Sequence, residues 1–148
     1  MHDKTLFVGI GSSHGDDQIG WLVVDEVEKL LNGAACRRAA TPAELLNWID
    51  GIDELVLCDA VVSSRPAGCV DSWTWPSPQL VRVSFQGSHD LSLVATLEIA
   101  EELGRLPPQV RIWGVAISSA TPMECISSEI IESVPGIAKR ICQERCHA

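Results

Sequence analysis

Basic residues are scarce in this chain of 148 residues: eleven Lys and Arg stand against twenty Asp and Glu, a formal charge of -9. An acidic surface lacks the positive footprint that gathers phosphate backbones, which argues against a nucleic-acid partner. Long apolar runs are lacking as well. Stretches such as Ile19-Gly20-Trp21-Leu22-Val23-Val24 fall far short of the ~20 residues that span a bilayer, so no membrane partner is expected. The start, Met1-His2-Asp3-Lys4-Thr5, does not lead from a basic region into an apolar stretch with a small-residue cleavage site. A cytoplasmic location is the expectation. No C-x-x-C pair occurs among Cys36, Cys58, Cys69, Cys125, Cys142 and Cys146, so neither a thioredoxin motif nor a zinc ribbon is indicated and buried reduced thiols are expected. No repeat, linker or low-complexity tract divides the chain. What is present, 46% hydrophobic and 21% charged residues, suits one globular domain over 1–148. A chain of this length can bury ~68–70% of its unfolded surface and needs no staples.

Apolar periodicity supplies the elements. Thr5 to Ile10 is apolar on consecutive positions, as in a strand buried on both faces of a parallel sheet. After a polar loop, Ile19, Leu22, Val23, Val27, Leu30 and Leu31 recur at helical spacing up to a stop at Asn32-Gly33. Ala34 to Ala40 reads as a weak strand, and Thr41-Pro42 opens a helix that reaches Trp48 or Ile49. Leu55 to Cys58 gives another buried strand, ending at Asp59. Cys69 to Trp75 follows too soon for a helical crossover, so this strand is expected to run antiparallel at an edge. Pro76 to Ser88 shows little periodicity. A helical stripe from Leu91 to Leu103 begins at Ser88-His89-Asp90, Arg111 to Ile117 is the last strand, and Ile126 to Ile141 forms a closing helix that Pro135 should kink or restart. The alternation predicts an α/β fold: one three-layer, doubly wound domain with a mostly parallel five-stranded sheet and one antiparallel edge strand.

Ligands of such sheets bind beyond the carboxyl ends of the strands, where the chain order reverses. The first strand ends in Gly9-Ile10-Gly11-Ser12-Ser13-His14-Gly15-Asp16-Asp17, glycine-rich like a phosphate loop. Asp16 and Asp17 would repel a phosphate from the start of the helix, which argues against a nucleotide. One aspartate suffices to cap a helix; two adjacent ones repel unless a cation or donor neutralises one. Asp59 ends an apolar strand at the same edge, where a carboxylate is costly to bury without a partner. If the first and third strands are neighbours, Asp17, Asp59 and His89 can converge on one point. Two carboxylates and an imidazole make an open three-ligand site for a divalent ion, of the catalytic rather than the structural kind. No G-x-S-x-G elbow marks a serine nucleophile, Cys58 alternates to the face opposite Asp59 and reads as core, and Trp73 and Trp75 form the exposed pair among the tryptophans.

Gly9-Ile10-Gly11, Gly15-Asp16-Asp17-x-Ile19-Gly20, Cys58-Asp59-Ala60-Val61 and Ser88-His89-Asp90-Leu91, in that order, resemble the hydrogenase maturation proteases. These endopeptidases trim the C-terminus of the precursor large subunit of nickel-iron hydrogenase. The resemblance implies a twisted five-stranded α/β sheet and makes Asp17, Asp59 and His89 both the metal ligands and the catalytic residues, with Asp16 in support. It further implies a divalent metal, nickel supplied by the substrate, and the large-subunit precursor as partner. One departure stands out: where many relatives carry Asp-Gly-Gly-Thr after the second strand, this chain reads Arg38-Ala39-Ala40-Thr41. Two other readings stay open, a module of the same fold that binds nickel-loaded precursor without cutting, and a flavodoxin-like nucleotide binder.

Overall fold

Along the first strand Leu6, Val8 and Ile10 face one way and Phe7 the other, and all four are buried, so apolar layers cover both faces. The computed structural model describes residues 4–86, 91–118 and 125–144. Its strands are β1 (Thr5–Ile10), β2 (Ala35–Ala39), β3 (Glu54–Val62), β4 (Val70–Thr74) and β5 (Gln109–Ile117). They form one sheet in the order β2-β1-β3-β5-β4, parallel except for β4, which pairs antiparallel with β5 at the edge as its short connection requires. On one face helices α1 (Ile19–Leu30) and α3 (Ser128–Glu144) cover Phe7, Val56, Cys58 and Trp113. On the other, helix α2 (Leu93–Glu102) and 3₁₀ segments at Pro42–Asn47 and Pro78–Arg82 cover Leu55, Leu57 and Ile112. The result is the three-layer, doubly wound α/β architecture that the alternation predicts.

Three glycines set the spacing between sheet and first helix. A Cβ on Gly9 would collide with the Gly20 carbonyl, and one on Gly20 would collide with the Ile10 carbonyl and stand 2.7 Å from that of Cys58. A Cβ on Gly11 would strike the carbonyl of Asp17. The glycine pattern therefore serves a close backbone approach of α1 to β1 and β3.

Several boundaries differ from expectation for identifiable reasons. The segment after Thr41 is a 3₁₀ helix, Pro42–Asn47, opened by a capping box in which Thr41 and Glu44 satisfy each other's backbone. β3 does not end at Asp59 but runs to Val62, because β5 pairs with it as far as Ile117. Pro135 sits inside a continuous α3. It and Ile131, four residues earlier, are both exposed, so water can take the carbonyl that the missing N–H leaves free. Trp73 and Trp75 are half-buried rather than exposed: Trp73 meets Phe85 edge-on with ring centroids 6.4 Å apart, and Trp75 Nε1 donates to Glu101 at 3.4 Å. Among the described residues only the Cys58 thiol is buried; Cys36, Cys69 and Cys142 are half-buried and Cys125 is exposed.

Glycine positions give opposite expectations for stability. Gly20→Ala drives a methyl into two carbonyls that cannot move without separating α1 from the sheet, and should cost about 3 kcal/mol or more. Gly136→Ala, in exposed helix with nothing within 4 Å of the added Cβ, should stabilise by about 0.5–1 kcal/mol. Urea denaturation of the two variants checks both signs.

Candidate active site

The chain order reverses between β1 and β3, since β2 lies on one side of β1 and β3 on the other. Pairing of β1 with β3 reaches only Gly9 and Cys58. Beyond that level another segment takes the place of β1: Ser84 O accepts from Val62 N and Gln86 N donates to Ala60 O, both at 2.8 Å, around an antiparallel bridge between Val61 and Phe85. Asp59 stands at this changeover, on the face opposite Cys58. The crevice is thus built by a strand that outruns its neighbour.

Asp17 stands in a 3₁₀ turn, Gly15–Gln18, that precedes α1. Gly15, at φ 49°, supplies the left-handed backbone that lets the chain turn into it. The turn is held by Asp17 N donating to His14 O at 3.0 Å and Ser12 N donating to Asp17 O at 3.2 Å, over the bare Cα of Gly11. Asp16 does different work. Only 1% exposed, it accepts from Ser127 N at 2.7 Å and Ser127 Oγ at 3.0 Å. Ser127 O receives the first helical bond of α3, from Ile131 N, so Asp16 pins the start of the closing helix to the loop that carries Asp17. Neither aspartate side chain caps the 3₁₀ turn or α1.

Asp59 is 1% exposed, and its Oδ1 accepts from Ala60 N at 2.8 Å. Burial pushes its carboxyl well above the usual carboxylate range; the Ala60 amide opposes this, and the nearby charge of Asp17 pushes it further up. Asp17 and Asp59 therefore share one electrostatic environment in which an added cation would relieve both desolvation and repulsion. His89 lies outside the described residues. Gln86 and Ser92, described residues on either side of it in the sequence, line the cavity that Asp59 lines. Among the described residues no three His, Cys, Asp or Glu side chains gather in a metal-ligating group.

That cavity, of about 550 Å³, was not foreseen from the sequence. Its walls come from the 3₁₀ segment Pro78–Arg82, the stretch that pairs with β3 and the first turn of α2. The alternation Val81-x-Val83-x-Phe85 was the available signal, obscured by Pro76 and Pro78 just before it. The departure from the Asp-Gly-Gly-Thr pattern also has a definite structure. Arg38 binds Asp25 through its guanidinium and lies 5.3 Å above the Trp21 ring, while Ala39 O accepts from Gly11 N at 2.9 Å and Trp21 Nε1 at 3.0 Å.

A three-layer sheet with an acidic pair at its switch point and an apolar cleft beside it defines the class. Its counterparts among solved structures cover nearly the whole chain. The hydrogenase maturating endopeptidase HybD from E. coli superposes with a TM-score of 0.72 at 19% identity over 96% of this chain and 94% of that one. The NiFe hydrogenase maturation protease HybD from Thermococcus kodakarensis gives 0.71 at 16% identity over 95% and 97%. The hydrogenase 2 maturation peptidase from Thaumarchaeota archaeon SCGC_AB-539-E09 gives 0.66 at 22% identity over 95% and 97%. No protein-family model and no curated protein sequence matches the chain. At these identities the likeness establishes a shared fold: the chain has the fold of the hydrogenase maturation proteases.

The electrostatics of Asp59 predict a pH signature. Its carboxyl titrates higher in the folded chain than the ordinary value of 3.8, so ionisation burdens the folded state; the group costs nothing below pH 3.8, the cost grows as pH rises from there to the folded value, and it is constant beyond. Asp59→Asn keeps an acceptor for Ala60 N and removes that charge. It should be more stable than the parent at pH 7, by about 1 kcal/mol or more, with the gap closing as the pH falls from the folded value toward 3.8. Paired thermal melts across pH check this.

Proposed function

We propose that this chain is a cytoplasmic endopeptidase that removes the C-terminal extension from the nickel-loaded large-subunit precursor of nickel-iron hydrogenase. The observation that carries the reading is the approach of Asp17 to Asp59 at the switch point, one buried and the other raising its pKa, on a fold shared with maturation proteases. A buried carboxylate beside a second, half-buried one is stable only with a proton or a cation between them. We assign Asp17, Asp59 and His89 as the ligands of a divalent ion and as the catalytic residues. His89 is supplied by a stretch whose flanking residues, Gln86 and Ser92, border the same cleft. The donor set fits a borderline ion that also has ligands elsewhere. Such an ion, nickel arriving on the precursor, supplies polarisation of the scissile carbonyl or of water.

The remaining work falls to the chain itself. The Ala60 amide fixes one oxygen of Asp59 and so sets the direction in which the carboxylate presents itself. The Gly11 contact fixes the backbone of Asp17, and Asp16 holds the start of α3 against the same loop. These restraints hold the pair in register before any partner arrives. A second reading, a module that binds loaded precursor without cutting it, is favoured by one observation: where the resemblance expects an acid, Arg38 is engaged with Asp25. The nucleotide-binding reading loses ground because Gly9, Gly11 and Gly20 are used in packing against the protein's own backbone.

Incubation of purified protein with nickel-loaded precursor separates cutting from binding alone. Asp17→Asn, Asp59→Asn and His89→Ala should each lower processing by at least ~100-fold while retaining a cooperative melt. A well-folded variant that cuts at the parental rate would remove that residue from the mechanism. Because nickel is expected on the precursor, enzyme stripped by chelator should still process loaded precursor and should leave nickel-free precursor intact.

A further inference from the structure

Three tryptophans hold the chain's own guanidinium groups over their rings: Arg37 lies 5.0 Å from Trp48, Arg38 5.3 Å from Trp21, and Arg111 and Arg140 each 5.5 Å from Trp113. Trp75 differs. Its Nε1 donates to Glu101 Oε2 at 3.4 Å, and among the described residues no guanidinium lies over its ring. The cation at helical spacing from Glu101 is Arg105, but that side chain is engaged elsewhere. Helix α2 stops at Glu102, Gly104 at φ 69° turns the chain, and Arg105 binds Asp50 and the Leu46 carbonyl. Glu101 thus forms no ion pair among the described residues. Indole and carboxylate together border a cavity of about 300 Å³ with Pro76, Leu106, Pro107 and Val110. Its frame is fixed, since Trp75 N donates to Val110 O at 2.9 Å and both Val110 and Pro107 are buried. The cavity stands apart from the crevice: Val110 lies four residues before Gly114, the register partner of Asp59, or about 13 Å away along β5, at the amino end of that strand.

We infer that this cavity is a docking site for an arginine side chain presented by a partner protein, with the guanidinium on the Trp75 ring and its N–H groups on the Glu101 carboxylate. The inference is independent of the endopeptidase reading. An indole face attracts a cation, and a planar guanidinium can lie flat on it while its fork of donors meets a carboxylate. A lysine ammonium, compact and more strongly hydrated, pairs with the carboxylate but stacks less well. An apolar side chain would strip water from Glu101 and offer no donor in return, and an acidic one would be repelled. Pro76, Leu106 and Val110 supply apolar cover for the methylene stem. At the lower edge of the ~300–1,000 Å³ range of ligand sites, the space suits one long side chain rather than a length of peptide. The source is a protein because free arginine carries an α-carboxylate, which a chain of formal charge -9 repels, whereas an arginine within a backbone carries none. The same excess of acid favours a partner whose contact face is basic.

Titration of the intact protein with the blocked tripeptide acetyl-Ala-Arg-Ala-amide, followed by NMR at the Trp75 indole N–H and the Gly104 amide, tests the site. Saturable shifts at both positions are expected. The same peptide with citrulline in place of arginine, alike in shape but uncharged, should bind about tenfold more weakly, and free L-arginine should also bind more weakly than the blocked peptide. Affinity for the arginine peptide should fall as salt is raised. Glu101→Gln changes an exposed side chain, so it should leave the melt unaltered while weakening the arginine peptide about tenfold. Trp75→Leu, read at Gly104 in the folded variant, should abolish the preference for the arginine peptide over its lysine counterpart. Absent or non-saturating shifts, equal binding of the arginine and citrulline peptides, free arginine bound as tightly as the blocked peptide, or full affinity in Glu101→Gln would overturn the site. No arm of this experiment involves cutting, so the docking site and the endopeptidase reading fail separately.

Discussion

The contact between the backbones of β1 and α1 is the constraint on which the rest depends. Gly9 and Gly20 let two chain segments approach more closely than any side chain allows, and Gly11 repeats the device one turn nearer the crevice. Two consequences follow. The start of α1 is drawn over the ends of β1 and β3, so that the residue two places before α1, Asp17, comes near Asp59 on a different strand. The approach also leaves no room for a phosphate between helix and strand, although glycines in this arrangement elsewhere make such room. The same residue type in similar spacing thus serves a different end once the helix start carries acid.

The acidic pair is costly by design of the fold. β3 is buried from Glu54 to Ala60, and Asp59 interrupts that run at 1% exposure with one amide donor. Desolvation is the largest influence on it, ahead of the amide and of Asp17. A carboxylate kept under such conditions is held in a state that a cation would relieve. The surroundings are correspondingly stiff. Asp16 ties the start of α3 to the loop, and the bonds of Ser84 and Gln86 to β3 hold the opposite wall.

Much of this was legible in the residue pattern, and the parts that were not share a cause. Both-face burial of β1 and β3, the α1 stripe and the antiparallel edge strand follow from local periodicity and loop length, which is why Thr5–Ile10 and the start of α1 at Ile19 agree with the structure. The neighbour relation of β1 and β3 required only the ordinary topology of a doubly wound sheet. What pattern could not supply was pairing between distant segments. The extension of β3 past Asp59 depends on β5, the wall at Phe85 depends on the bridge to Val61, and the role of Asp16 depends on Ser127, 111 residues away. Such partners leave no mark in the short window around each residue.

An incomplete metal site has a thermodynamic logic on the proposed reading. Were Asp17, Asp59 and His89 to bind free nickel tightly, the charge relief would be spent before the substrate arrived, and the affinity order of divalent ions would let copper compete. A weak site keeps that relief in reserve for an ion already held by the precursor. Binding energy then becomes available only when a loaded precursor docks, because the protein must favour the loaded state differentially to discriminate at all.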